Sequence, residues 1–220
     1  MSITLNNLEP DTLYSYTIES GSLSQGDATS YFRTAPLISS TKKTWMWVLG
    51  DFGKKPNADG NPGVDQINVR DSFNNYVQAN GTGKYVKFWL WLGDNACDWG
   101  RSWEYQQSVF DVYDGRKNAS QRIMKQTPFF ATSDNHDYRN NQDLGALGRT
   151  NHGMNHYFDV INQMTAGDAV GEHSKKEEYY SFDHANIHFV SLDSYGYQKN
   201  RLPGFKRQPF SQRMVPNWSG

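Results

Sequence analysis

Cysteine is almost missing from this chain. Cys97 is the single one in 220 residues, which excludes an intrachain disulfide framework and a cysteine-rich zinc site. Charge of one sign is missing too: the formal net charge is −1 and the pI about 6.6, which argues against a nucleic-acid or membrane-surface protein held by bulk charge. No apolar run approaches the ~20 residues of a membrane span. The N-terminus, Met1-Ser2-Ile3-Thr4, has no signal-peptide pattern. Apolar residues are sparse at 36%, yet Phe, Tyr and Trp supply 15% of the chain. A polar, disulfide-free, aromatic-rich chain reads as a globular fold of many short strands and long loops, not as disorder. Its length suits one large domain, or one domain plus a piece of another, with roughly 70% of the extended surface open to burial.

Two patterns follow one another along the chain. In the first, Ile3 and Leu5 alternate with polar neighbours, Leu8 to Thr12 makes a turn, and Tyr14, Tyr16 and Ile18 alternate again before Gly21 to Asp27. Tyr31 to Thr34 then closes at Pro36, giving two or three antiparallel strands, too few for an independent β-sandwich. After the polar link Ser39 to Lys43 come three apolar runs: Trp45 to Leu49, Tyr85 to Leu92, and Pro128 to Thr132. Helix-like stretches separate them. Val69, Phe73, Tyr76 and Val77 are expected to share a face, and Ser102 to cap a helix carrying Val109, Phe110 and Tyr113. Apolar runs without alternation, separated by helices, predict strands buried on both faces of an α/β sheet. Tyr179 to Phe182 and Ile187 to Leu192, around Asp183 to Asn186, read as a hairpin, and from Gly196 onward the apolar pattern fades.

The chemistry-bearing residues fall at the ends of those runs. Asp51, Asp94 and Asn135 each lie just beyond a predicted core strand, 43 and 41 residues apart. Open α/β sheets place ligands at the carboxyl ends of their strands, so three oxygen ligands would converge on one crevice. Two carboxylates and an amide oxygen suit divalent or trivalent metals. Gly-Asp after a strand is also a common turn, but three such ends at this spacing, the third followed by His136-Asp137, favour a site.

The blocks Gly50-Asp51-Phe52-Gly53, Gly93-Asp94-Asn95-Ala96-Cys97 and Asn135-His136-Asp137 resemble the first three motifs of the purple acid phosphatases within the calcineurin-like metallophosphoesterases, D-x-G, G-D-x-x-Y and G-N-H-D/E. Tyr179 to Phe182 with Asn186 to Tyr195 resembles the same family. Leu8 to Tyr16 resembles the fibronectin type III-like module that often precedes its catalytic domain. The resemblance runs from residue 1 to about residue 195. It implies a partial α/β/β/α sandwich (44–195) preceded by the last strands of a fibronectin type III-like sandwich (1–38), with an irregular tail (196–220).

It also implies a reaction: hydrolysis of phosphomonoesters, on a small molecule or a protein, by hydroxide formed at a two-metal centre of Fe with Zn, Mn or Fe. Asp51 would hold the first metal, Asp94 would bridge both, Asn135 would hold the second, and His136 would contact the phosphate or leaving oxygen. Two cations roughly 3.5–4 Å apart need a bridging carboxylate to offset their repulsion. Family members are usually secreted or extracytoplasmic.

The chain departs from the pattern in three places. Cys97 stands where the family has a ligand tyrosine, and reads either as a thiolate ligand or as a small, partly buried replacement. Asp134 stands where the family has glycine, and reads either as a turn residue tolerating unusual φ or as an extra carboxylate. The histidine blocks V-x-x-H and G-H-x-H have no match. A chain truncated at both ends is expected, with weak binding of one ion and impaired hydrolysis. The alternative is a catalytically inactive fragment with residual metal or phosphate binding. A phosphodiesterase on the same centre is a third reading.

Other candidates are weaker. His152 and His156 are expected on a surface loop, and His184 and His188 in structural roles. Gly81-Thr82-Gly83-Lys84 is not a P-loop, because Tyr85 replaces the hydroxyl residue that motif needs. Asn80, Asn118 and Asn217 open sequons that matter only in a eukaryotic secretory setting.

Overall fold

A computed structural model of the chain describes residues 5–54, 63–81, 86–115, 122–138, 155–162 and 179–192. The tail 196–220, His152, and the sequons at Asn118 and Asn217 lie outside them. The architecture is mixed α/β, built on a parallel sheet. Strands β5 (Trp45–Leu49), β6 (Val86–Leu92) and β7 (Phe129–Thr132) pair in that order, with β6 in the middle. Helix α1 (Val64–Ala79) connects β5 to β6. The connection from β6 to β7 contains α2 (Ser102–Glu104), a π-helical stretch (Tyr105–Phe110), α3 (Asp111–Tyr113) and α4 (Ile123–Gln126). Helix α5 (Asn155–Val160) and the hairpin β8 (Tyr180–His184) and β9 (Ile187–Ser191) follow.

Strand side chains alternate between the two faces of the sheet, and on β6 both faces are covered, so its run is apolar apart from Lys87. On β5 the expected burial of both faces is not met: Val48 is 42% exposed. On β6, Trp89 and Trp91 point to the helical side and are sealed from solvent, while Phe88 points to the other side. The helical side buries Trp47, Phe52, Tyr105, Val109 and Tyr113 with them. Trp47 stacks on Phe73 at 3.9 Å, and Trp91 on Phe129 at 4.1 Å. On the opposite face the β8–β9 hairpin supplies the cover: Phe182 stacks on Phe130 at 3.8 Å and meets Phe88 edge-on at 5.8 Å. Most of the buried volume on both sides is aromatic, which is how a chain poor in aliphatic residues builds a core.

The N-terminal segment holds four short strands, more than its alternation suggested. β1 (Leu13–Ser15) pairs with β4 (Tyr31–Arg33), and β2 (Ile18–Ser20) with β3 (Leu23–Gln25). β3 falls inside the predicted loop; Leu23 is exposed, so no buried face marks it in the sequence. The segment docks on α4, where Tyr16 donates to the Lys125 carbonyl at 2.9 Å and Gln126 to the Thr29 carbonyl at 3.1 Å.

Two helical expectations are corrected. Val69 and Tyr76 of α1 are exposed; the inward face runs instead through Gln66, Arg70, Phe73 and Val77. Polar side chains can occupy this face because the neighbouring helix has carbonyls to offer: Gln66 donates to that of Ser108 and Arg70 to that of Val112. Ser102 is the first residue of α2, not its cap; Arg101 takes the cap position and the Ser102 hydroxyl pairs with His156 Nδ1 at 2.7 Å. His156, expected on a surface loop, lies on helix α5. His184 is buried against the Phe88 ring and His188 pairs with Asp183 at 2.7 Å, in keeping with structural roles.

Phe182 is the centre of the hairpin's attachment. Phe182→Ala is expected to destabilise the fold by about 3–5 kcal/mol and to expose dye-binding surface. Urea unfolding with a hydrophobic-dye titration measures both, and an unchanged midpoint would place the hairpin outside the core.

Candidate metal centre

The loops that leave β5, β6 and β7 meet at the carboxyl end of the sheet, and close backbone packing holds them there. Gly53 has no room for a side chain, since a Cβ would lie 1.9 Å from the Asn95 carbonyl oxygen. Gly93 has φ +100°, and a Cβ there would come within 2.6 Å of the Asp134 side chain. Cys97 donates its N–H to the Gly53 carbonyl at 2.8 Å, and Asp51 donates its own to the Gly93 carbonyl at 3.1 Å. These glycines let each loop touch the next. Asp51 and Asp94 both take the left-handed region, with φ of 53° and 48°. That conformation is uncommon outside glycine and is tolerated best by Asp and Asn.

A buried carboxylate fastens the β6 and β7 loops together. Asp137 has no exposed surface and accepts from Asp134 N–H at 3.0 Å, Asn95 N–H at 3.2 Å, the Asn95 side chain at 3.2 Å, and the Tyr105 hydroxyl. Burial pushes its carboxyl up to about 7, against the opposing effect of those donors. A second buried carboxylate, Glu104, shapes the loop after Cys97. It accepts from the N–H groups of Asp98 and Trp99 at 3.1 Å each and of Arg101 at 2.8 Å.

Within this frame Asp94, Cys97 and His136 come together, their ligating atoms all within 4.8 Å of one another. Asp94, 8% exposed, accepts the His136 backbone N–H on Oδ1 at 2.8 Å. The Asp98 carbonyl lies 2.9 Å from His136 Nδ1. A carbonyl can only accept, so in the neutral ring Nδ1 carries the proton and Nε2 the lone pair; Nε2 lies 3.7 Å from Asp94 Oδ2. A carbonyl on one ring nitrogen and a free lone pair on the other is how a metal-binding histidine is held. Burial raises the Asp94 carboxyl above its ordinary range; the charges of Asp134 and Asp51 add to this, and His136 opposes it. Burial, with the charges of Asp94, Asp51, Asp137 and Asp98, pushes the Cys97 thiol up to about 12. Among the described residues the surroundings are therefore rich in negative charge.

The sequence reading named Asp51, Asp94, Asn135 and Cys97 as metal ligands and His136 as catalytic. Three of these five form the donor group. Asp51 stands exposed at the end of β5, near enough to raise both Asp94 and Cys97 electrostatically. Asn135 sits on the turn before His136, with its N–H donated to Asp134 Oδ1 at 2.7 Å. The unusual φ expected of Asp134 falls on Asp51 and Asp94 instead, and Asp134 acts as an added charge beside Asp94. Asp137, Glu104 and Tyr105 were not singled out. Asp137 was visible as the last residue of its motif, and Glu104 only as a carboxylate in a helix's first turn.

No family model matches the chain, and no curated protein matches it in sequence. Among solved structures it is similar to a purple acid phosphatase from seeds of yellow lupin (Lupinus luteus), with a TM-score of 0.44 and 16% identity over 78% of this chain. The chain spans 28% of the length of that phosphatase.

Asp137 gives the metal-free chain a definite pH dependence. Its pKa is near 3.9 when unfolded and about 7 when folded, so the folded state binds the proton more tightly. Its contribution is complete below about pH 4 and is lost as pH rises through 7, up to about 4 kcal/mol in all. With a chelator present, the urea midpoint should be higher at pH 5 than at pH 8, and Asp137→Asn should flatten the difference. A pH 5 to pH 8 difference that Asp137→Asn leaves unchanged would show that this carboxyl does not carry it.

Proposed function

We propose that the chain is part of a metal-dependent phosphoesterase whose centre holds one ion on Asp94, Cys97 and His136. The observation that carries this reading is the gathering of a carboxylate, a thiol and an imidazole lone pair at the carboxyl ends of parallel strands. The donor set fits a borderline ion such as Zn²⁺, Co²⁺ or Fe²⁺, which accepts sulfur, nitrogen and oxygen together. When bound, such an ion supplies Lewis-acid chemistry for transfer of a phosphoryl group to water.

The chain's own residues prepare for that chemistry. Asp98 fixes the His136 tautomer, so Nε2 is available without reorganisation. Asp94 ties the turn bearing His136 to the end of β6 through its Oδ1. Cys97 holds its proton at neutral pH and must release it to become a ligand, so binding is linked to proton loss. Asp51 and Asn135 flank the group on the adjoining strand ends. In this reading residues 1–38 end a fibronectin type III-like module and 44–195 begin the phosphoesterase domain, as the motif resemblance implies. A phosphorylated small molecule or protein is the proposed substrate.

A second reading has its own support. Asp51, the expected ligand of the first family metal, is exposed and lies outside the three-donor group. One ion without its neighbour favours a binder of metal or phosphate with little turnover.

Metal analysis after dialysis against a mild chelator should find at most one ion per chain, and Asp94→Ala should remove it. Turnover of p-nitrophenyl phosphate is expected at least ~10³-fold below an ordinary phosphatase, equivalent to about 4 kcal/mol of transition-state stabilisation. Slow turnover that Asp94→Ala abolishes supports the enzyme, whereas bound metal without turnover supports the second reading. Two tightly held ions, or turnover unaffected by Asp94→Ala, would refute the site.

A further inference from the structure

The amino ends of the same strands carry a feature of opposite charge. Trp45 opens β5 and Lys87 lies at the start of β6; with Arg33 of β4 and the link Lys42–Thr44 they line a cavity of about 280 Å³. Arg33, Lys42, Lys43 and Lys87 bring four positive charges to its wall, and Asp11 is the one acid among the lining residues. The Asp11 carboxylate is shared by Lys42 at 2.7 Å, Lys87 at 2.9 Å and Arg33 at 3.5 Å. A single carboxylate cannot neutralise three cations, and Lys43, over the Trp45 ring at 5.2 Å, adds another. Lys87 has only 11% of its side chain exposed, so water does little to screen it.

Arg33 is the one guanidinium among the lining residues, its side chain 30% exposed, and a guanidinium fork is matched to the oxygens of a phosphate or carboxylate. A surplus of three positive charges around one cavity is the reverse of the acidic group at the other end of the sheet.

We propose that this cavity binds a compact phosphate-type anion, held by Arg33, Lys42, Lys43 and Lys87, independently of the metal centre. Such an anion would also cross-link the N-terminal strands to the parallel sheet, since Arg33 comes from one and Lys87 from the other. Two sources share this chemistry: free inorganic phosphate or pyrophosphate, and the phosphoryl group of an ester.

Calorimetric titration of the full chain in excess chelator, with orthophosphate, pyrophosphate and phenyl phosphate as separate probes, tests the proposal. Binding of at least one probe is expected. The Lys42→Gln/Lys43→Gln variant should bind at least ~10-fold more weakly, as befits the loss of charge-assisted contacts, while Asp94→Asn should bind as the parent does. Tighter binding of inorganic anions points to the first source, and of phenyl phosphate to the second. Amide resonances of Lys43, Thr44 and Lys87 in the parent chain should shift with the same probe, a readout that survives a variant that does not fold. No binding by any probe, undiminished binding by the lysine variant, or loss of binding in Asp94→Asn alone would overturn the proposal.

Discussion

The Asp137 carboxylate is the interaction on which the site's geometry depends. It is fully buried and receives hydrogen bonds from both strand-end loops and from the π-helical stretch between them. Those loops carry Asp94, Cys97 and His136, so their relative placement is set before any ion arrives. Ionised, it would sit in low dielectric with its donors in place; protonated, it spares the desolvation cost but uses one oxygen as a donor. Burial tips the balance toward a carboxyl near neutrality, where a nearby cation would draw the proton away.

The aromatic core gives the fastening something rigid to stand on. β6 uses both faces, with Trp89 and Trp91 toward the helices and Phe88 toward the hairpin, so its register cannot slip by one residue without exchanging the two cores. Asp94 follows directly from that strand. A shift of a single position would move the carboxylate away from His136 and the glycine at 93 away from Asp134.

Much of this was legible in the sequence, for physical reasons. The three core strands could be read because burial of most of their side chains leaves runs that are apolar but for Lys87, and their ends because Gly-Asp and Asn-His follow them. The inward face of α1 could not be read from apolar spacing, since Gln66 and Arg70 occupy it by donating to carbonyls of a neighbouring helix. β3 was hidden because its leucine faces solvent. At the site, the residue types were legible but their grouping was not. His136 joins Asp94 and Cys97 because the Asp98 carbonyl turns its ring, and that contact spans 38 residues. Lys42, Lys43, Arg33 and Lys87 carry no common motif, so the basic cavity appears only once the fold assembles it.

The two ends of the parallel sheet thus differ in charge, acidic where the strands leave and basic where they enter, separated by strands five to seven residues long, roughly 20 Å. Whether the acidic end is a metal centre is decided most directly by X-ray absorption on the zinc-loaded chain. One sulfur at about 2.3 Å with nitrogen and oxygen ligands at about 2.0–2.1 Å is expected, and Cys97→Ser should remove the sulfur alone. A shell of only oxygen and nitrogen in the parent chain, or no retained zinc, would contradict a site built on Asp94, Cys97 and His136.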